Sequence, residues 1–150
     1  MKYQYRHSYR ITKYFNYNID GFLTDDGWSS FSDVPEKISL EEYLKIEQQY
    51  IYTILAVCKQ LNIEYLRIKQ LSDSNKKSGY RNRQKIKLSD LPIFLKGLLR
   101  ENYWCKLTHF KCEFHFGYDY YLYCIAQADL FHFLNEQSEL HIERFISPYA

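Results

Sequence analysis

Polar and apolar residues alternate from Tyr9 to Phe15, with Arg10, Thr12 and Tyr14 on one side and Tyr9, Ile11, Lys13 and Phe15 on the other. That two-residue period predicts a first strand. From Asn16 to Ile38 the period disappears, and Gly21, Gly27 and Pro35 stand among Asn, Asp and Ser. Such residues make turns, so a long loop is expected, and long ordered loops often carry function. Ser39 followed by Glu42 has the spacing of a capping box. Apolar residues then recur at Leu40, Tyr43, Leu44, Tyr50, Ile51, Ile54, Leu55, Cys58 and Leu61, the three-and-four spacing of one buried helical face, ending at Asn62.

Glu64 to Leu71 places Leu66 and Ile68 between charges, as in a second strand. Ser72 to Lys87 is polar and basic, which predicts a surface loop. Ser89 or Asp90 can cap a second helix running to about Glu101, with Pro92 tolerated in its first turn. Tyr103 to Ala126 is dense in strand formers, predicting two or three antiparallel strands that turn near Phe110-Lys111 and Gly117. Asp129 to Glu136 fits a short helix, and Leu140 to Ile146 a final strand. The expected architecture is α+β: one domain over residues 1–150, a mainly antiparallel sheet of about five strands, and two or three helices.

Composition supports one domain, since 150 residues suffice for one sizeable core. Hydrophobic residues at 46% and charged residues at 25% exclude a disordered chain. Sixteen tyrosines and ten phenylalanines are the unusual feature. Tyrosine fills a core and is also enriched at protein interfaces, so both uses stay open. A net charge of +2 is small for a dedicated DNA-binding protein, although a local basic patch remains compatible with it. Met1 to Arg6 lacks the apolar stretch of a secretory signal, and the expected location is the cytoplasm. Cys58, Cys105, Cys112 and Cys124 are expected as free, mostly buried thiols.

Candidate chemistry is sparse. Cys105, His109, Cys112 and His115 have the donor types of a zinc site, but Cys105 and His109 on one strand would stand roughly 13 Å apart. No metal is expected. The five histidines lie in no recognisable nucleophile or hydrolase motif, so no catalytic residues are assigned and the chain is not expected to be an enzyme. Isolated glycines give no phosphate-binding loop, so no cofactor is expected. Lys76, Lys77, Arg81 and Arg83, with Tyr80 among them, are either a solvated loop or a surface that grips phosphates while the ring stacks on a base. An acidic protein surface is an equal match for that loop.

Arg10-Ile11-Thr12-Lys13-Tyr14, followed by DDGWSSFSDV (Asp25 to Val34) and LEEYLKIEQQYI (Leu40 to Ile51), resembles segments of small bacterial proteins found beside polymorphic and contact-dependent toxins. HFGYDYYLY (His115 to Tyr123) resembles their C-terminal sheet segment. The resemblance spans most of the chain and departs over Asp73 to Lys87. It implies a cytoplasmic immunity protein that binds, one to one, the toxic C-terminal domain of a cognate effector, often a nuclease. It offers no residue-level site.

Contact residues are therefore read from the sequence. Asp25, Asp26, Asp33 and Glu36 flank Trp28 and Phe31, pairing carboxylates that could imitate phosphates with rings suited to an interface. The alternative is that the rings fold onto the core while the acids are merely solvated. Asp119 and Tyr120 complete the expected contact set. Nucleic-acid binding through the Lys76–Lys87 loop is the alternative function.

Overall fold

The computed structural model describes residues 7–15, 27–73 and 77–149. Among these, the chain runs β1 (His7–Thr12), a 3-10 turn (Phe31–Asp33), α1 (Leu40–Gln60), β2 (Tyr65–Ser72), β3 (Lys85–Lys87), α2 (Leu91–Leu99), β4 (Trp104–Thr108), β5 (Cys112–Phe116), β6 (Leu122–Ala126), α3 (Phe131–Gln137) and β7 (His141–Arg144). All seven strands join one sheet in the order β3-β2-β4-β5-β6-β1-β7, and every neighbouring pair is antiparallel. The α+β expectation holds, and the sheet is larger than the five or so strands expected. The addition at one edge is β3, three residues inside the segment read as a basic loop. Its Ile86 is buried between exposed Lys85 and Lys87, and a single apolar residue is too short a pattern to announce a strand.

Alternation divides the sheet into two faces. Ile11, Leu66, Ile68, Leu107, Phe114 and Cys124 point inward and join the core with residues of all three helices. The helices therefore cover one face. Ser39 Oγ accepts the Glu42 amide at the start of α1, as its spacing predicts, although Leu40 itself is exposed. Asn62, expected as the end of this helix, adopts a φ of 57° just beyond it, a conformation Asn tolerates better than most residues. The four cysteines are free and buried, and burial pushes the thiols of Cys58 and Cys105 up to about 12.

Among the described residues, the chain's own C-terminal segment covers one half of the opposite face. The Phe145 amide donates to the Ser8 carbonyl, and the Ser147 amide to Ser8 Oγ. Ser147 Oγ lies 2.8 Å from Nδ1 of His115, whose Nε2 lies 2.8 Å from Glu113 Oε2. Both His115 and Ser147 are buried, so this relay clasps the tail against β5. Arg10 reinforces the same half with two hydrogen bonds to Glu143, at 3.0 and 3.1 Å, under the ring of Phe145.

At the β1 end, Asp129 ties three elements together. Its carboxylate accepts from the Tyr9 hydroxyl, the Phe131 amide that opens α3, and Arg144 of β7. These bonds, the Phe131 amide foremost, hold its acid constant down at about 2, against an ordinary 3.8. A depressed carboxylate stabilises the fold above the unfolded value and loses that contribution as pH falls through the folded one. Wild-type protein should therefore lose stability between about pH 4 and pH 2 more steeply than Asp129→Asn. Urea midpoints measured across that range test this, and parallel curves would remove Asp129 from the acid response.

Candidate partner-binding cleft

Position 47 of α1 interrupts an apolar stripe. Tyr43, Tyr50 and Ile54 are buried on the same helical face, and Glu47 between them is 0% exposed. A buried carboxylate is costly unless paired and hydrogen-bonded. Arg100, which caps α2, answers it through two hydrogen bonds of 2.8 and 2.9 Å, and the Tyr43 hydroxyl donates to it at 2.6 Å. The pairing with Glu47 in turn holds the Arg100 guanidinium above its usual range. Tyr43 also touches the hydroxyl of Tyr120, which reaches in from the β5–β6 connection. Burial pushes both tyrosines well above their ordinary range.

Tyr120 belongs to a tight turn. The Tyr121 amide donates to the Tyr118 carbonyl, and the Gly117 amide to the Tyr121 carbonyl. Its two central residues, Asp119 and Tyr120, have φ of 60° and 64°. Positive φ at both positions matches the twist of a two-residue hairpin, and Asp tolerates it. A bulky ring does not, and left-handed backbone costs a residue with a Cβ roughly 1–2 kcal/mol. Contacts to the core offset that strain. The Tyr50 hydroxyl donates to the Tyr120 carbonyl at 2.6 Å, and the Tyr14 hydroxyl to the Asp119 carbonyl at 2.9 Å. The ring of Tyr120 packs edge-on against Trp28, Tyr43 and Tyr50.

This anchoring from within fixes what the turn displays. Tyr118 is 83% exposed, and Asp119 beside it is exposed as well. Behind the turn opens a cleft of about 550 Å3, walled by Tyr118, Tyr121, Trp104 and Tyr149, with Leu98 and Leu99 of α2 lining it too. Glu101, another left-handed residue at φ 64°, brings a carboxylate to the same cleft. Strained backbone that the surrounding structure over-determines clusters at binding and catalytic sites. An aromatic cleft with one carboxylate in its lining, and the exposed Asp119 beside it, suits recognition of a protein partner.

The expected contact residues fare unevenly. Asp25 and Asp26 lie outside the described residues. Trp28 is buried, its ring against Tyr43 and Tyr120, with Lys13 Nζ 4.0 Å above it. Phe31 packs on Tyr43 beneath the Arg100 guanidinium. The Trp28 ring thus folds onto the core, and the Phe31 ring, half-buried, packs at its edge. Asp33 accepts the Ser29 and Ser30 amides, which hold its carboxyl below the usual range, Ser29 first. It fastens its own turn, and of this loop's acids Glu36 alone among the described residues stands exposed without such a role. Asp119 stays at the surface, whereas Tyr120 is the buried anchor of the turn.

In the basic segment, Lys76 is outside the described residues, and Lys77, Arg81 and Arg83 are exposed. The half-buried ring of Tyr80 packs edge-on against Phe94 and Tyr103, beside the core. Cys105 and Cys112 point into the core while His115 points to the other face, so those zinc-type donors do not converge. Among the described residues no three His, Cys, Asp or Glu side chains gather as a metal site, and no helix is long and apolar enough to cross a membrane.

Tyr118 and Tyr120 supply an internal contrast. Tyr120→Ala should cost about 3–5 kcal/mol, the usual penalty for emptying a buried aromatic site. Tyr118→Ala should stay within about 0.5 kcal/mol of wild type. Urea unfolding of both variants checks the assignment, and equal losses would overturn it.

Family models, curated proteins and solved structures were each compared with this chain, and none of them gave a match.

Proposed function

We propose that this chain is an immunity protein that binds the toxic C-terminal domain of a bacterial effector, a nuclease, and neutralises it by covering a functional surface. The observation that carries this reading is the anchored turn beside the aromatic cleft. Tyr118 projects into solvent from backbone already locked by Tyr14, Tyr50 and Tyr120. A rigid exposed tyrosine is a suitable hot spot, because little conformational freedom is lost when it is buried. Asp119 and Glu101 add carboxylates, complementary to the basic surface with which a nuclease receives phosphates.

The segment His115 to Tyr123, one of those resembling immunity proteins, builds this turn. Inhibition by occlusion requires no turnover by the inhibitor, only a stable one-to-one complex formed in the cytoplasm. Interfaces of that kind bury about 1,600 Å2 in total. The cleft and its rim would form only the centre of such an area.

Growth provides the test. The C-terminal domain of the large protein encoded beside this chain should be toxic when expressed alone, and co-expression of this chain should restore growth. Tyr118→Ala combined with Asp119→Asn should weaken the purified complex by about 10- to 100-fold and abolish protection at low expression. Asn is chosen because it tolerates the left-handed backbone. Toxicity without rescue overturns the function; rescue and affinity unaffected by the double variant overturn the cleft as the site.

A further inference from the structure

The half of the outer face that the C-terminal residues leave open carries a different chemistry. Outward positions on β2 and β3 include Arg67, Lys69, Lys85 and Lys87, with no acid among them, and Lys106 of β4, which donates to the Tyr149 carbonyl, marks the border of the covered half. Register places Lys85 beside Arg67 and Lys69 beside Lys106. Neighbours along a strand face are about 6.7 Å apart, and neighbours across strands about 4.8 Å. A molecule with a net charge of only +2 thus concentrates cations on one lattice. Among the described residues, no ion pair engages Arg67, Lys69, Lys85 or Lys87.

Rings are interleaved with these charges. Tyr65, in the same outward row, has Lys85 Nζ 4.6 Å and the Arg67 guanidinium 5.6 Å from its ring centre. Tyr65 meets His109 edge-on at 5.8 Å, and His109 stacks on Phe110 at 4.6 Å. Phe110, at the β4–β5 tip, is 49% exposed. Burial and the nearby Lys111 charge both move the His109 imidazole toward its neutral form. A depression of about 590 Å3 lined by Tyr65, Lys85, Lys87 and Ser89, with Glu64 as its acid, opens alongside.

We propose that this surface binds single-stranded nucleic acid, with phosphates on Arg67, Lys69, Lys85 and Lys87 and bases against Phe110, His109 and Tyr65. Cations at strand spacing flanking π faces are the two elements of sequence-tolerant single-strand binding. An acidic polypeptide would use the charges and leave the rings idle. A duplex would do the same, since its bases are already stacked. The surface is built from different residues than the aromatic cleft, and its occupation does not depend on the immunity function. Tyr80, the ring that the sequence offered for stacking, takes no part.

Fluorescence anisotropy of the full chain with labelled oligouridylate and oligodeoxythymidylate of about 15 nucleotides tests the assignment. Binding should be detectable at about 50 mM salt and fall steeply by about 200 mM. Arg67→Ala with Lys85→Ala should weaken it about tenfold and reduce the slope of log affinity against log salt by about 1.4. Phe110→Ala should weaken it about tenfold with the slope unchanged, a readout that loss of charge does not reproduce. Lys45→Ala with Lys59→Ala, an equal charge removal on exposed positions of α1, should leave affinity within about twofold. A preference between the two oligonucleotides names the strand as RNA or DNA, and either one supports the surface. No binding at low salt, equal losses in the two charge-removal variants, or polyglutamate competing as well as oligonucleotide with Phe110→Ala silent, overturns it.

Discussion

A buried carboxylate, paired with an arginine, organises the residues around it. Glu47 on α1 is fully buried, and its requirements are met from three directions: Arg100 at the end of α2, Tyr43 one turn earlier on its own helix, and Tyr120 through the Tyr43 hydroxyl. An apolar replacement of similar shape can stabilise a core better than such a pair, whereas removing one partner alone is strongly destabilising. What the pair supplies is position. It fixes the end of α2 and the β5–β6 turn relative to α1, with Phe31 stacked beneath the guanidinium and Trp28 against the tyrosines.

The aromatic richness of the chain acquires two distinct uses from that constraint. Tyr43, Tyr50 and Tyr120 place rings in the core and spend their hydroxyls on a carboxylate, a carbonyl and one another. Tyr118 and Tyr121 leave the same turn in other directions and help to wall the cleft. A strained loop with no such anchor would relax, and its exposed ring would lose the fixed direction that makes it useful to a partner. Rigidity below and display above are therefore one feature of the turn.

The outer face of the sheet follows a parallel division of labour. Where the C-terminal residues cross β5, β6 and β1, polar groups are consumed internally, by the Glu113–His115–Ser147 relay and by the Arg10–Glu143 pair. Beyond the reach of that segment, at β2 and β3, cations remain at the surface, and among the described residues no ion pair engages them. Recognition of a protein by the cleft and of a polyanion by the basic lattice would use separate areas.

The amino-acid sequence determined the elements whose periods are long or punctuated. The α1 stripe with its Ser39 cap, the strand alternation of β1 and β2, and the turns near Lys111 and Gly117 are all local patterns, readable because side-chain direction follows from backbone period. Glu47, a polar position inside the α1 stripe that the apolar spacing does not single out, has its partner in Arg100, 53 residues away, which nothing local names. Acids and rings side by side in Asp25 to Glu36 read as an interface because composition does not state direction. The tertiary structure decided that Trp28 turns inward against Tyr43 and Tyr120 and that Phe31 packs beneath Arg100. It likewise decided that Tyr80 packs against the core, that Ser147 reaches His115, and that Arg67 and Lys85 stand beside Tyr65. Each of these is a meeting of residues distant along the chain or on neighbouring strands, and only the folded backbone supplies the register that brings them together.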